Sequence, residues 1–118
     1  MIRGKNEKIM RKTQIIVDIE LDENHVPEKM SWSAEDGGIT NSETKAAMIS
    51  VWDEKEKEAL RIDLWTKEMP MDDMKRFYHQ IFISMANSYQ RATNENEVAD
   101  YIIEFAENFA HQAGIKNK

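Results

Sequence analysis

The stretch from Leu60 to Met85 changes its hydrophobic period partway along, and this change constrains the fold more than any other feature. Apolar and polar residues alternate from Leu60 to Trp65. After Pro70, apolar residues recur at helical spacing, at Met74, Phe77, Tyr78, Ile81, Phe82 and Met85. A switch from period two to a period of about 3.6 is typical of a strand that runs into an amphipathic helix. The sequence therefore predicts a sheet before this stretch and helices after it.

The N-terminal half of the chain has the pattern of antiparallel strands. Residues 13–21 alternate between apolar and polar types, and residues 28–34 place Met30 and Trp32 on one face. The segment between them contains Asp, Asn and Pro residues that favour a turn. Residues 35–43 are polar and include a Gly-Gly pair, so they are interpreted as a loop, and as the most mobile part of the domain.

Two apolar segments, 46–52 and 59–65, flank a charged turn and are interpreted as a β-hairpin. Pairing residues whose numbers sum to 111 places Val51 opposite Leu60 and Ile49 opposite Ile62 on one face, which we expect to form core with Leu64. The alternative is that residues 42–52 form a short helix capped by Ser42. We favour the hairpin because its two flanks match.

Two helices are predicted in the C-terminal half. Pro70 suits the first position of a helix, because the N–H that it lacks would be unpaired there. Asn94 and Glu97 have the spacing of a capping box for the second helix, and Gly114 is a natural stop. The short connection makes the helices antiparallel neighbours.

These elements predict an α+β fold, a two-layer sandwich. A four-stranded, mostly antiparallel sheet is followed by two antiparallel helices packed on one of its faces. The 118 residues fit one domain, expected at 13–114, between a basic flexible tail at 1–12 and a short tail at 115–118. Met10 is a candidate alternative start.

Composition excludes several classes of function. The chain has no cysteine, which excludes disulfides and thiolate metal sites. Outside the basic first twelve residues the chain is strongly acidic, which disfavours nucleic-acid binding. The apolar runs are too short to cross a membrane, and the N-terminus lacks the apolar region of a secretory signal peptide, so neither membrane insertion nor export is expected. We expect a cytoplasmic protein.

No set of residues has the pattern of a catalytic, cofactor or metal site. The three histidines, His25, His79 and His111, lack a second ligand at helical spacing, and no nucleophile motif or phosphate-binding loop is present. The sequence therefore predicts no cofactor and no enzymatic activity. The alternative is a small-ligand-binding or catalytic domain with its site near residues 35–45 and Asp63.

The feature that exceeds an ordinary globular pattern is a set of apolar residues expected to be exposed. In the proposed register, the sheet face that points away from the helices presents Ile16, Met48, Trp52, Arg61, Asp63 and Trp65. Exposed tryptophan is enriched at interfaces, so these six residues are the candidate partner-binding surface. The alternative is that residues 35–45 or the N-terminal tail cover them.

Four segments are similar to the gliding motility protein GldC family of Bacteroidetes. They are VDIELDENHVPEKMSW, AEDGGI, SVWDEKEKEALRIDLWTKEMP and DDMKRFYHQ. The resemblance runs from about residue 13 into the second helix and is most specific at SVWD and LRIDLWTKEMP. It implies a small non-enzymatic protein associated with the gliding machinery, which is linked to type IX secretion. The family provides no catalytic residue or cofactor to transfer.

The resemblance and the residue pattern together predict an accessory or adaptor protein of gliding motility that acts through protein–protein contacts. Its expected partners are other proteins of the gliding machinery, and a homo-oligomer is a further possibility.

Overall fold

The computed structural model describes residues 9–115, which belong to two compact units divided between Glu68 and Met69. The first unit contains strands and the second contains helices. In the described residues the elements are β1 (Ile15–Leu21), β2 (Pro27–Ala34), a 3-10 turn (Glu35–Gly37), β3 (Ile39–Thr44), β4 (Ala46–Asp53), β5 (Glu58–Trp65), α1 (Met71–Thr93) and α2 (Asn96–Ala113). The α+β class is confirmed. The predicted tails at 1–12 and 115–118 lie largely outside the described residues.

Strands β1, β2 and β3 form an antiparallel sheet with β2 in the middle. Met30 of β2 lies between Ile19 and Thr44 and is almost completely buried. The turn between β1 and β2 is closed by Asp22, whose Oδ1 accepts hydrogen bonds from the backbone N–H groups of Asn24 and Val26. The first two strands are therefore placed as the alternating pattern predicts.

The prediction of a loop over residues 35–43 was wrong, because most of this segment is strand β3. Its sequence, ITNSET, lacks the alternation of a half-buried strand, and its residues are mostly exposed. It forms a strand through pairing with β2, as in Ser31 opposite Glu43. Tertiary pairing overrides the low β-propensity of such residues.

Strands β4 and β5 form the predicted hairpin in the predicted register. Every partner pair sums to 111, from Ala46 opposite Trp65 to Asp53 opposite Glu58, so the short-helix alternative for 42–52 was wrong. The expectation of one four-stranded sheet was also wrong, since residues 9–115 contain a three-stranded sheet and a separate two-stranded sheet. The chain bends at Lys45, where it passes from β3, which pairs with β2, into β4, which pairs with β5 instead.

Helices α1 and α2 form an antiparallel hairpin held by aromatic contacts. The ring of Phe82 on α1 lies edge-on to Phe105 and Phe109 of α2, with centroid distances of 5.2 and 5.0 Å. At the end of the pair away from the connection between the helices, Lys75 Nζ donates a hydrogen bond to the carbonyl of Ala113 (3.0 Å). The predicted packing of this helix pair on a sheet face stays a prediction.

The helix ends differ in two respects from the expected capping. Asn94 does not cap the start of α2; it ends α1 in the left-handed conformation (φ 63°), with its N–H bonded to Gln90 O. Asparagine tolerates this conformation better than most residues, which explains its position. Gly114 ends α2 in the same way, as predicted. Pro70 was predicted at the first helical position and lies one residue earlier, since α1 begins at Met71.

The hairpin contributes less core than the sequence indicates. Leu60 and Ile62 were expected to be core residues, yet their side chains are 51 % and 55 % exposed. The buried apolar residues among those described are Met30, Ala86, Ala99 and Ala106. Neither α1 nor α2, the two helices in the part of the chain that the structure describes, has the length and apolar character of a membrane span.

Candidate protein-binding surface

Five of the six predicted surface residues lie on one face of the β4–β5 hairpin. Side chains alternate between the two faces of a strand, and the register places Met48 opposite Asp63, Ser50 opposite Arg61, Trp52 opposite Ala59 and Ala46 opposite Trp65. We call this the tryptophan face; its members are Met48, Trp52, Arg61, Asp63 and Trp65. The confirmed register is what brings these residues together.

Both tryptophans of this face are half-exposed. Trp52 is 59 % exposed and Trp65 is 53 % exposed, so neither the N-terminal residues that the structure describes nor residues 35–45 cover them. They lie near opposite ends of the hairpin, six ladder positions apart, or about 20 Å at a rise of about 3.4 Å per residue. Two large aromatic anchors at this separation suit contact with a protein surface rather than enclosure of a small molecule.

An ion pair lies between the two tryptophans. Arg61 donates a hydrogen bond from its guanidinium to Asp63 Oδ2 at 2.8 Å, and both side chains remain in contact with solvent. Because residues two apart in a strand share a face, β5 itself positions this pair. The face therefore combines apolar anchors with a central pair of opposite charges, the combination that gives interfaces both affinity and specificity.

The opposite face of the hairpin is also apolar and exposed, which the sequence analysis missed. Val51 is 56 % exposed, and its ladder partner Leu60 and the next residue on that face, Ile62, are half-exposed as well. The signal was present in the sequence, since apolar residues occupy both alternating positions of β4 and β5. The face with Leu60, Ile62 and Leu64 was expected to be core because all of its alternating positions are apolar.

Ile16, the sixth predicted residue, lies on another sheet. It belongs to β1 and pairs with Ser33 of β2. It lines an open depression of about 280 Å³ together with residues of β2, the 3-10 turn and β3. Ile16 and the tryptophan face therefore belong to different sheets. A role of Ile16 in partner binding stays a prediction.

The alternative small-ligand site near residues 35–45 and Asp63 stays a prediction. Asp63 is paired with Arg61 on the hairpin and does not line the depression near Ile16. A second depression, of about 230 Å³, is lined mostly by polar and charged side chains of β1, β2 and β3. Within residues 9–115, no group of three or more His, Asp or Glu side chains is arranged to hold a metal ion.

Two hydrogen-bonded pairs outside the tryptophan face shift the pKa values of their members. The hydrogen bond from Lys67, aided by backbone N–H groups, lowers the pKa of Asp22 to about 2, and the same contact raises the pKa of Lys67. In the helical unit, the hydrogen bond from Tyr89 to Glu95 raises the pKa of the tyrosine. Both pairs join the ends of elements, so a structural role accounts for them.

Comparison with known proteins identifies the family. No curated protein and no solved structure matches the chain. A family model described as gliding motility-associated protein GldC-like matches residues 27–115, well over half of the 118 residues. The match includes the hairpin, both helices and the segment LRIDLWTKEMP. The chain therefore belongs to the GldC-like family of gliding motility-associated proteins.

Proposed function

We propose that this protein is a non-enzymatic adaptor of the bacterial gliding machinery, linked to type IX secretion in Bacteroidetes. It acts in the cytoplasm by binding another protein of that machinery through the tryptophan face. Family membership supplies the association with gliding. The adaptor role, the compartment and the surface are the parts that we add.

One observation carries the choice of surface: two half-exposed tryptophans share a face with the Arg61–Asp63 ion pair. Tryptophan and arginine are the residues most enriched among those that dominate binding energy at protein interfaces. A single exposed apolar residue would need no explanation, but two tryptophans with a half-buried methionine on one small sheet do.

The test is affinity capture from gliding cells with a tagged protein and a matched pair of variants. In the first variant Trp52 and Trp65 are both replaced by Thr, which keeps the β-propensity of the hairpin while it removes the aromatic anchors. The control is Tyr101→Ser, which removes an exposed aromatic residue from α2 instead. Circular dichroism verifies that both variants remain folded.

We expect the wild-type protein and the Tyr101→Ser variant to capture the same gliding protein, and the double-threonine variant to lose it. Capture that is unchanged in the folded double-threonine variant would exclude the tryptophan face as the binding site. The cytoplasmic part of the proposal is tested separately by cell fractionation, where recovery of the protein from the periplasm or the cell surface would contradict it.

A further inference from the structure

We infer that the free edge of β5 pairs with the same edge of a second copy of this chain, which joins two hairpins into one four-stranded antiparallel sheet. The proposed dimer lies beyond the proposed function, because it joins two copies of this chain through the backbone edge of β5. Its cross-strand side-chain pairs include Arg61, Asp63 and Trp65 of the tryptophan face. Its readout is the mass of the purified protein, so it can fail without affecting the role in gliding.

The edge of β5 is open in the structure. Within residues 9–115, β5 has β4 as its strand partner on one side and no strand on the other. A two-stranded sheet is marginally stable by itself, whereas three or more strands with an apolar face are stable. An exposed edge strand beside exposed apolar faces is therefore a site at which another strand adds.

The hydrogen bonds within the hairpin determine which residues of β5 are free to pair outward. Thr66 N donates to Lys45 O (2.9 Å), so residues 45 and 66 form a hydrogen-bonded pair of the ladder. Such pairs recur every two residues, so Leu60, Ile62 and Leu64 direct their backbone groups toward β4. Ala59, Arg61, Asp63 and Trp65 consequently direct theirs toward the open edge.

Among axes at the three central residues of β5, charge favours one register for two copies related by a twofold axis. With the axis at Arg61 or at Asp63, that residue faces its own copy, and like charges directly opposite each other are destabilising. With the axis at Ile62, Arg61 of each copy faces Asp63 of the other copy. Both cross-strand pairs then unite opposite charges, and Ala59 faces the bulky Trp65.

The same register also makes the apolar residues complementary. On the face opposite the tryptophans, Ile62 lies opposite Ile62 of the second copy. Within each hairpin Ile62 is paired with Ile49, so four isoleucines form a continuous row across four strands. Leu60 meets Leu64 of the second copy in the next row. The dimer thus places two half-exposed apolar side chains, Leu60 and Ile62, beside apolar neighbours.

The outer strand β1 lacks this self-complementarity, so β5 is favoured over β1 as an edge that pairs with itself. Pairing β1 with its own copy about its central residue places Asp18 opposite Asp18. Moving the axis to Ile19 places Asp18 opposite Glu20, again two acids. Charged residues of one sign on an edge strand oppose such association.

Charge reversal in purified protein tests the register. We expect wild-type protein to have twice the 13.8 kDa mass of one chain in light scattering. Arg61→Glu alone and Asp63→Lys alone should each be monomeric, because each opposes like charges. An equimolar mixture of these two variants, and the double variant Arg61→Glu/Asp63→Lys, should be dimeric. The control Arg76→Glu makes the same change in net charge as Arg61→Glu, outside the strand, and should leave the dimer intact.

A cross-link provides a second test that does not depend on charge. The chain has no cysteine, and in the proposed register Ile62 lies opposite its own copy at a non-hydrogen-bonded position, where Cα atoms are about 4.5 Å apart, within the range of a disulfide. Ile62→Cys should therefore oxidise to a covalent dimer. Leu60→Cys, which faces Leu64 rather than itself, should not.

If the wild-type protein is monomeric across a dilution series, the inference is overturned. The edge of β5 would then be available to a strand of another protein. A dimer that all the charge variants retain, or that links through Leu60→Cys as readily as through Ile62→Cys, would contradict this edge and register. If a single charge variant does not fold, the Ile62→Cys and Leu60→Cys comparison still decides the outcome.

Discussion

Asp22 and Lys67 join the turn between β1 and β2 to the segment that follows β5, with 2.8 Å between Asp22 Oδ2 and Lys67 Nζ. The other carboxylate oxygen, Oδ1, accepts two backbone hydrogen bonds within the turn. A backbone hydrogen bond from Lys67 N to Pro27 O (3.3 Å) runs beside the ion pair. One carboxylate therefore closes a turn and holds the end of β5 near the start of β2.

The Asp22–Lys67 pair should make the stability of the strand unit depend on pH. The pKa of Asp22 is lowered from 3.8 to about 2, first by the hydrogen bond from Lys67 and then by that from Val26 N. A lowered pKa adds stability that is complete above pH 3.8 and is lost as pH falls toward 2. The pKa of Lys67 is raised from 10.5, so its contribution is complete below pH 10.5 and is lost as pH rises further.

Asp22→Asn tests this dependence, because the amide oxygen can still accept the turn hydrogen bonds while the charge is removed. We expect urea denaturation at pH 7 to show a less stable variant, and the difference from wild type to shrink as pH falls from about 4 toward 2. A difference that is the same at both ends of this range would show that the charge of Asp22 contributes no stability.

Tyr89 should titrate above the ordinary value for tyrosine. Its hydroxyl lies 2.6 Å from Glu95 Oε1, and this hydrogen bond raises the pKa because it favours the protonated phenol. Absorbance titration of wild type minus the Tyr89→Phe variant isolates this one residue. We expect the midpoint of the difference to lie above pH 10. The hydrogen bond stabilises the folded protein below pH 10, and this stabilisation is lost as the phenol ionises at higher pH. A midpoint at or below pH 10 would contradict the contact.

Asn94 should respond to substitution as a residue in the left-handed conformation. Its φ of 63° costs most residues with a Cβ atom about 1–2 kcal/mol, and asparagine less. We expect Asn94→Ala to lower the free energy of unfolding of the helix pair by about 1 kcal/mol, and Asn94→Gly to leave it within about 0.5 kcal/mol of wild type. Equal losses in the two variants, measured by urea denaturation, would exclude a conformational cause.

Phe82 should matter more to the helix pair than Phe105 does. Phe82 lies edge-on to two rings of α2, whereas Phe105 is more than half exposed. Edge-to-face pairs contribute about 0.5–1.5 kcal/mol beyond the area they bury. We expect Phe82→Leu to lower the free energy of unfolding by about 1–2 kcal/mol and Phe105→Leu by less. The reverse order in thermal or urea denaturation would contradict the ring geometry.

The sequence was informative where hydrophobic periodicity was strong. The register of β4 and β5 followed from matching apolar flanks, and the two helices followed from a 3.6-residue period. Strand β3 was missed because its polar residues have no such period, and only its pairing with β2 makes it a strand. The division into two sheets, with a bend at Lys45 between β3 and β4, was missed because no residue pattern predicts it.

The candidate surface could be predicted from the sequence only as far as the pairing of the strands was predicted correctly. The five residues of the tryptophan face were grouped correctly because the predicted pairing of β4 with β5 was correct. Ile16 was grouped with them wrongly, because that grouping assumed one continuous sheet. The exposure of Leu60 and Ile62 was not predictable, because alternation states which residues share a face and not whether that face is covered.

The most direct test of the central claim is the gliding speed of cells in which the protein is replaced by the Trp52→Thr/Trp65→Thr variant, with Tyr101→Ser as the matched control. Immunoblotting verifies equal amounts of each protein. We expect the control cells to glide as wild-type cells do and the double-threonine cells to lose gliding. Normal gliding in cells that contain the folded double-threonine variant would contradict the claim that the protein works through its tryptophan face.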